Sequence, residues 1–325
     1  ERKYSLNEAE TKPYFRMENV REGVFANAHR LYGLNFEKLD SVQVYHPDVE
    51  AFRVTDSDGT LIGYLMTDYF PRSTKRGGAW MNNFLPQYVD RHGDDHRPVI
   101  VNVGNFSKPS GDTPALLTLD EVGTMFHEFG HALHGLLSQC IYKTVSGTSV
   151  ARDFVELPSQ INENWAFRPE VLATYARHYQ TGEVIPDSLV AKINAASKFN
   201  QGFMTTELAA AAILDMKWHE LTSVEVQPDC PYASDIAAGD GMRLIDPVKF
   251  EEYVCRQMGL IDEIIPRYRT TYFNHIFNSG YAAGYYSYLW AEVLDKDAFE
   301  LFMKRGIFDR RTAMSFRHNI LEKGG

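Results

Sequence analysis

The sequence predicts a mainly α-helical protein with a small β-sheet beside one central helix. Three observations predict it. Apolar residues recur at helical spacing over most of the chain. One region, 42–70, changes to a period of two. And a strongly amphipathic stretch, TLDEVGTMFHEFGHALHGLLSQ (118–139), carries His127, Glu128 and His131 in the pattern H-E-x-x-H.

Composition bounds the partners. With 325 residues the chain can bury a large core, and its formal charge of −10 with no basic run argues against nucleic acid or an anionic membrane surface. No apolar run approaches the ~20 residues that span a bilayer. The 18 Tyr and 20 Phe suit a cleft for peptides or other amphipathic ligands. Cys140, Cys230 and Cys255 are odd in number and form no C-x-x-C pair, as expected of reduced thiols in a cytoplasmic protein. A monomer is expected.

Residues 1–40 read as helical, with Asn19 placed to cap a helix carrying Val20, Val24, Ala28 and Leu31, and Gly33 placed to stop it. VEAFRVTD and TLIGYLMTDYF flank a Ser57-Asp58-Gly59 turn, which predicts a hairpin. PRSTKRGGA (71–79) is a polar loop. His92 and His96 lie four apart in DRHGDDHRP, but Gly93, the charge density and Pro98 favour a solvated loop over a second metal site with Asp94 and Asp95. PVIVNVGNF (98–106) reads as a compact strand, and SKPSGDTPA leads into the motif helix.

Thr118 and Glu121 have capping-box spacing, and Val122, Met125, Phe126, Phe129, Leu133, Leu136 and Leu137 form a buried face. Residues four apart on a helix lie about 40° apart around its axis, so His127 and His131 can bind one ion. Glu128 between them can hold a water and take its proton, the chemistry of a zinc peptidase. Two satisfied core imidazoles would be the plainer reading, and Glu128 argues against it. Gly130 costs helix propensity, which close packing or room for a ligand would explain. His134, one turn further, is expected to be structural.

After a Ser/Thr/Gly-rich loop (140–152), DFVELPSQINENWAF (153–167) starts a helix with Pro158 in its first turn. A catalytic zinc takes three protein ligands, and Glu156 is the third candidate, with Asp153 and Glu163 as neighbouring competitors. Glu163 shares a helix face with Glu156 and Gln160, which suits orienting the ligands, a role open to Asp153 as well. Residues 187–222 are expected to be helical, and 226–247 to be a poorly ordered surface excursion. Helices resume at Phe250, over 282–304 and in RRTAMSFRHNILEKGG. In HIFNSGYAAGYYSYLW (275–290), Tyr281, Tyr285 and Tyr288 make one helical stripe. Such a stripe can be core packing, but Gly280, Ala282, Ala283 and Gly284 would let a substrate approach, and phenols can donate to an oxyanion.

HEFGH, FVELPSQINENW and HIFNSGYAAGYYSYLW occur in order, and together they resemble the thimet-oligopeptidase family of zinc metallopeptidases, the M3 peptidases. ARHYQTG (176–182) and PRYRTTYFNHIF (266–277) are more similar to its peptidyl-dipeptidase (dipeptidyl carboxypeptidase) branch. The resemblance spans 1–325 and implies a zincin-like catalytic domain of the M3 type. It further implies that the family's helical N-terminal half and a last C-terminal helix lie outside this chain. By that resemblance His127, His131 and Glu156 bind one zinc ion and Glu128 is the general base. His275, Tyr285 and Tyr288 stabilise the tetrahedral intermediate or hold substrate, and Tyr281 contacts substrate. Short peptides are the expected substrates, losing C-terminal dipeptides. Arg267 and Arg269 are the candidates to pair with a free carboxylate, as guanidinium groups do, or else are solvated surface charges. The strand around Asn102 to Asn105 is a candidate for pairing with an extended peptide. An endo-acting oligopeptidase of the same family and a non-catalytic peptide-binding domain are the alternatives.

Overall fold

The computed structural model describes residues 6–325, so the first five positions of the expected N-terminal helix lie outside the described residues. A short α1 (Glu8–Thr11) precedes the long α2 (Met17–Tyr32). Seven strands follow: β1 (Asn35–Lys38), β2 (Glu50–Thr55), β3 (Leu61–Asp68), β4 (Trp80–Leu85), β5 (Tyr88–Val89), β6 (Asp95–His96) and β7 (Val99–Val103). Then come α3 (Leu119–Leu137), α4 (Leu157–Ala166), α5 (Pro169–Tyr175), α6 (Asp187–Ala196) and α7 (Gln201–His219). Three short strands, β8 (Glu225–Val226), β9 (Ala233–Ala237) and β10 (Arg243–Ile245), separate these from α8 (Pro247–Gln257), α9 (Asn274–Asn278), α10 (Ser287–Arg305) and α11 (Arg310–Phe316). The chain divides into two compact units, one running to Lys198 and resuming at Ala291, the other from Phe199 to Trp290. No described helix is long and apolar enough to cross a membrane.

In the larger unit the strands order β1-β2-β3-β7-β4, antiparallel except for the β3–β7 pair. The β2–β3 hairpin closes over Gly59, whose φ of 87° only glycine adopts freely, and Asp58 accepts a hydrogen bond from the Thr60 N–H. α3 lies across this sheet. Its apolar face (Phe126, Phe129, Leu133, Leu136) joins Phe25, Phe52, Leu65 and Ile100 in one buried core. The capping box at its start is formed: Glu121 N–H donates to the Thr118 hydroxyl at 3.1 Å, and Thr118 N–H to the Glu121 carboxylate at 2.8 Å.

Gly130 is where α3 and α4 touch. A Cβ built there would meet the Pro158 carbonyl oxygen at 2.3 Å and Ser159 Cα at 2.6 Å, both backbone atoms that cannot rotate away. Gly130→Ala should therefore destabilise the fold by about 1–3 kcal/mol through overpacking, despite a helix-propensity gain of roughly 1 kcal/mol. Thermal unfolding followed by circular dichroism checks this; an unchanged or raised midpoint would refute the close approach as the reason for glycine.

Several expectations are corrected. α2 starts at Met17, with Arg16 at its N-cap position making no side-chain cap and Asn19 inside its first turn, although it ends at Gly33 with φ 80° as expected. The region expected to be helical to residue 40 turns into β1, drawn into the sheet by its pairing with β2. β4 (WMNNFL) has no alternation to betray it and exists because β7 offers it a partner. β7 itself lies between β3 and β4, so its backbone is already paired on both sides and cannot take up a peptide. The His92/His96 segment, in contrast, is the exposed turn expected, closed at its base by the two-residue strands β5 and β6, and among the described residues it joins no metal-capable group; His96 Nε2 lies 3.0 Å from Asp90 Oδ2.

The 187–222 helix is broken by Asn200 in the left-handed region (φ 62°). The 226–247 excursion is instead ordered as a three-stranded antiparallel sheet, β8-β10-β9. α8 begins at Pro247, capped by Asp246, and α10 begins at Ser287 rather than 282, because Ala283 has a φ of 52°.

Candidate metal centre

His127 and His131 project from the same side of α3, and α4 brings Glu156 to both. Glu156 stands at the N-cap of α4, and its carboxylate is buried with Oε2 3.2 Å from His127 Nε2 and 3.1 Å from His131 Nε2. One ligand-capable atom from each of the three lies within 4.8 Å of the other two, and among the described residues no other such group occurs. Asp153, in the turn before α4, is not part of it.

Electrostatics bind the three together. Burial alone would depress the His127 imidazole, but its hydrogen bonds to Glu156 and Glu163 outweigh this and hold its pKa well above the ordinary value. Burial alone would raise Glu156, yet the positive charge and hydrogen bonds of His131 and His127 hold it well below the carboxylate range. Glu128, buried on the same helix, is raised, by burial first, with His127 and His131 opposing. A cluster of two imidazoles around one carboxylate oxygen thus favours positive charge at its centre.

The residues fit a divalent ion. Two imidazole nitrogens and one carboxylate oxygen are the donor set that zinc takes in catalytic sites. His127 Nδ1 lies 2.6 Å from Glu163 Oε1, and a ring that donates from Nδ1 there would present its Nε2 lone pair to an ion at the centre. Glu128 Oε2 is buried with no hydrogen-bond partner, a polar atom that a water on such an ion would engage.

Backbone clamps hold α3 in place. Asn102 of β7 donates from Nδ2 to the Glu128 carbonyl at 2.8 Å, and Asn162 of α4 to the Phe126 carbonyl at 2.6 Å. Sequence reasoning missed both amides in this capacity, although a lone Asn inside VIVNV is itself a signal of a buried polar contact. His134 is fully buried with Nε2 3.3 Å from the Lys323 carbonyl; burial pushes its pKa down to about 4, so it stays neutral and holds the C-terminal segment.

The smaller unit gathers the phenols, though not by a helical stripe as the spacing suggested. Residues 282–286 form successive turns, and the rings meet because the turn folds them together. Tyr281 stacks on Tyr288 at 5.5 Å between centroids, Tyr285 lies 5.1 Å from Tyr288, and His275 lies 5.5 Å from Tyr285 and 6.0 Å from Tyr281. Burial, with Tyr268 adding to it, raises the Tyr285 phenol far above its ordinary value, so it remains a proton donor. Arg267 is exposed, with Nη1 3.6 Å from the Glu207 carboxylate and its guanidinium over the Tyr268 ring. Arg269 instead binds the buried Glu251 carboxylate, which commits part of its guanidinium to the fold. Asp215, which the sequence reading passed over, is buried against this turn; a lone acid inside AAAAILDMKW is the signal that could have found it.

The family model described as "Peptidase family M3" matches residues 1–325. The chain is 45% identical over 323 residues to the dipeptidyl carboxypeptidase of Escherichia coli K12, covering 99% of this chain and 45% of that protein. It is 38% identical over 328 residues to oligopeptidase A of the same organism (99% and 45% covered), and 31% identical over 330 residues to a thimet-like oligopeptidase of Dictyostelium discoideum (99% and 46%). It therefore spans a little under half the length of these relatives. With the two motif histidines, the carboxylate that α4 brings to them and a family match from the first residue to the last, the chain belongs to peptidase family M3.

Proposed function

We propose that the chain carries a zinc-dependent peptidase activity that releases dipeptides from the C-termini of short peptides. The observation that supports it most is the convergence of His127, His131 and Glu156, with Glu128 buried beside them, in a chain 45% identical to a dipeptidyl carboxypeptidase. One zinc ion would be held by His127 Nε2, His131 Nε2 and the Glu156 carboxylate. Bound there, zinc supplies a Lewis acid that polarises the scissile carbonyl and lowers the pKa of a water. Glu128 accepts the proton of the attacking water and returns it to the leaving amine. Glu163 keeps the His127 tautomer, and the amides of Asn102 and Asn162 keep α3 from shifting.

β4 is an open edge of the sheet that α3 packs against, with residues 82–85 exposed, and it offers unpaired backbone to an extended peptide. The family resemblance supports Tyr285, Tyr288 and His275 as donors to the tetrahedral intermediate, and Tyr281 as a substrate contact. Arg267 is the favoured partner for the substrate's free carboxylate, with Arg269 behind it because Glu251 already engages it. An acidic chain with three free cysteines supports work in the cytoplasm.

Elemental analysis for zinc, paired with hydrolysis of an N-blocked tripeptide as free acid and as amide, tests this. About one zinc per chain and turnover of the free acid alone is the expected result. The 38% identity to oligopeptidase A favours a second reading, endo-cleavage, which equal turnover of the amide would support. Zinc without turnover of either would favour a peptide-binding role. In the first case Arg267→Ala should erode the acid-over-amide preference by about tenfold or more, the worth of a charge-assisted hydrogen bond. An unchanged ratio would remove Arg267 from the reading.

A further inference from the structure

The smaller unit contains a buried acidic side chain that the reaction as described does not use. Asp215, in the last turns of α7, is fully buried, in a helix whose neighbouring residues are Ala, Ile and Leu. Among the described residues its carboxylate serves no helix cap and pairs with no Lys or Arg. It accepts the Ala283 N–H at 2.9 Å on Oδ1 and the Tyr285 N–H at 2.8 Å on Oδ2, and His219 Nδ1 lies 2.8 Å from Oδ1. A buried carboxylate is tolerated only when such donors fill its lone pairs.

The turn it grips is one the chain would otherwise avoid. Ala283 has φ 52° and Gly280 φ 84°, and a left-handed alanine persists only where its surroundings over-determine it. Tyr285 is two residues beyond Ala283. Holding its N–H fixes its Cα, and hence the direction in which its ring leaves the turn toward Phe273, His275 and Tyr288.

We infer that Asp215 is a positioning residue: it locks the 280–286 turn in the conformation that sets the Tyr285 phenol for the reaction, with His219 orienting its carboxylate. The inference rests on the part given to Tyr285 above. It differs from mere packing in what it predicts, because a packing residue would lower stability without acting through one phenol.

The test uses the zinc-loaded chain with Asp215→Ala and Asp215→Asn. Asn keeps one carbonyl acceptor and replaces the other with a donor facing a donor, so it should fall between the parent and Ala. Asp215→Ala should speed amide exchange at residues 283 and 285 at least tenfold, with protection retained in α7 and α8. It should lower kcat by about 10–100-fold, the cost of misplacing a reacting group by roughly an ångström, at unchanged zinc content and a KM within about twofold. Added to Tyr285→Phe it should cost little more, since the two act as one unit. Losses that multiply in the double variant, or unchanged exchange at 283 and 285, would overturn the inference. Should Asp215→Ala fail to fold, the Asp215→Asn exchange and double-variant data decide alone. A parent chain without peptidase activity would instead sink the peptidase reading, and the exchange measurement would still decide whether Asp215 locks the turn.

Discussion

Glu128→Gln is expected to lower kcat for peptide hydrolysis by about 10²–10⁴-fold, the range a positioned general acid–base supplies, with zinc remaining near one per chain. The reason for so selective a loss lies in what the substitution preserves. Glu128 is buried and its carbonyl is held by Asn102, so Gln occupies the same place with the same shape. It can hold a water by hydrogen bonding but cannot take its proton. The measurement is steady-state kinetics of the N-blocked free-acid peptide beside elemental analysis. Turnover within a few-fold of the parent would take the base role away from Glu128. Loss of zinc would mean the side chain supports the ligands instead.

Glu156→Ala should cost more in zinc affinity than any other single change at the centre apart from loss of a histidine. Both imidazoles converge on its carboxylate, and it is the only anionic member of the three. Removing a supporting partner such as Glu163 is expected to weaken zinc about 10–100-fold, so losing the ligand itself should exceed that. Competition against a chromophoric chelator measures the two in parallel. Thermal unfolding offers a second reading: zinc at 100 times its dissociation constant should stabilise the parent by about 2.7 kcal/mol, and that shift should vanish in Glu156→Ala. If Glu163→Ala proved the more damaging of the two, the assignment of ligand and supporting residue would be reversed.

How much of this was legible in the sequence depended on the range over which each feature is determined. The capping box of α3, the Gly33 stop of α2 and the Ser57-Asp58-Gly59 turn are set by residues within a few positions of one another, and all three formed as read. β4 and the β8-β10-β9 sheet could not be read this way. Their residues carry weak strand patterns: β4 gains its hydrogen bonds from β7, three strands further along the chain, and β8, β9 and β10 become strands only by pairing with one another. The tyrosine stripe was misread as a helix because periodicity records only that residues recur. The turn at Ala283, held from Asp215, places the same rings together along a different backbone.

For the centre itself, the sequence alone determined that His127 and His131 share one side of a helix with Glu128 between them in the chain, because i, i+4 spacing is a property of the helix and not of the fold. Glu156 was a choice among neighbouring carboxylates. Tertiary structure brings one of them to the histidines: Gly130 lets the start of α4 press against α3, and that contact carries Glu156 to both imidazoles while leaving Asp153 outside the group. Asn102, Asn162 and Asp215 belong wholly to the tertiary level. Asn102 and Asp215 are isolated polar residues in apolar runs and Asn162 stands among other polar residues, and only the packed chain shows which backbone groups each meets.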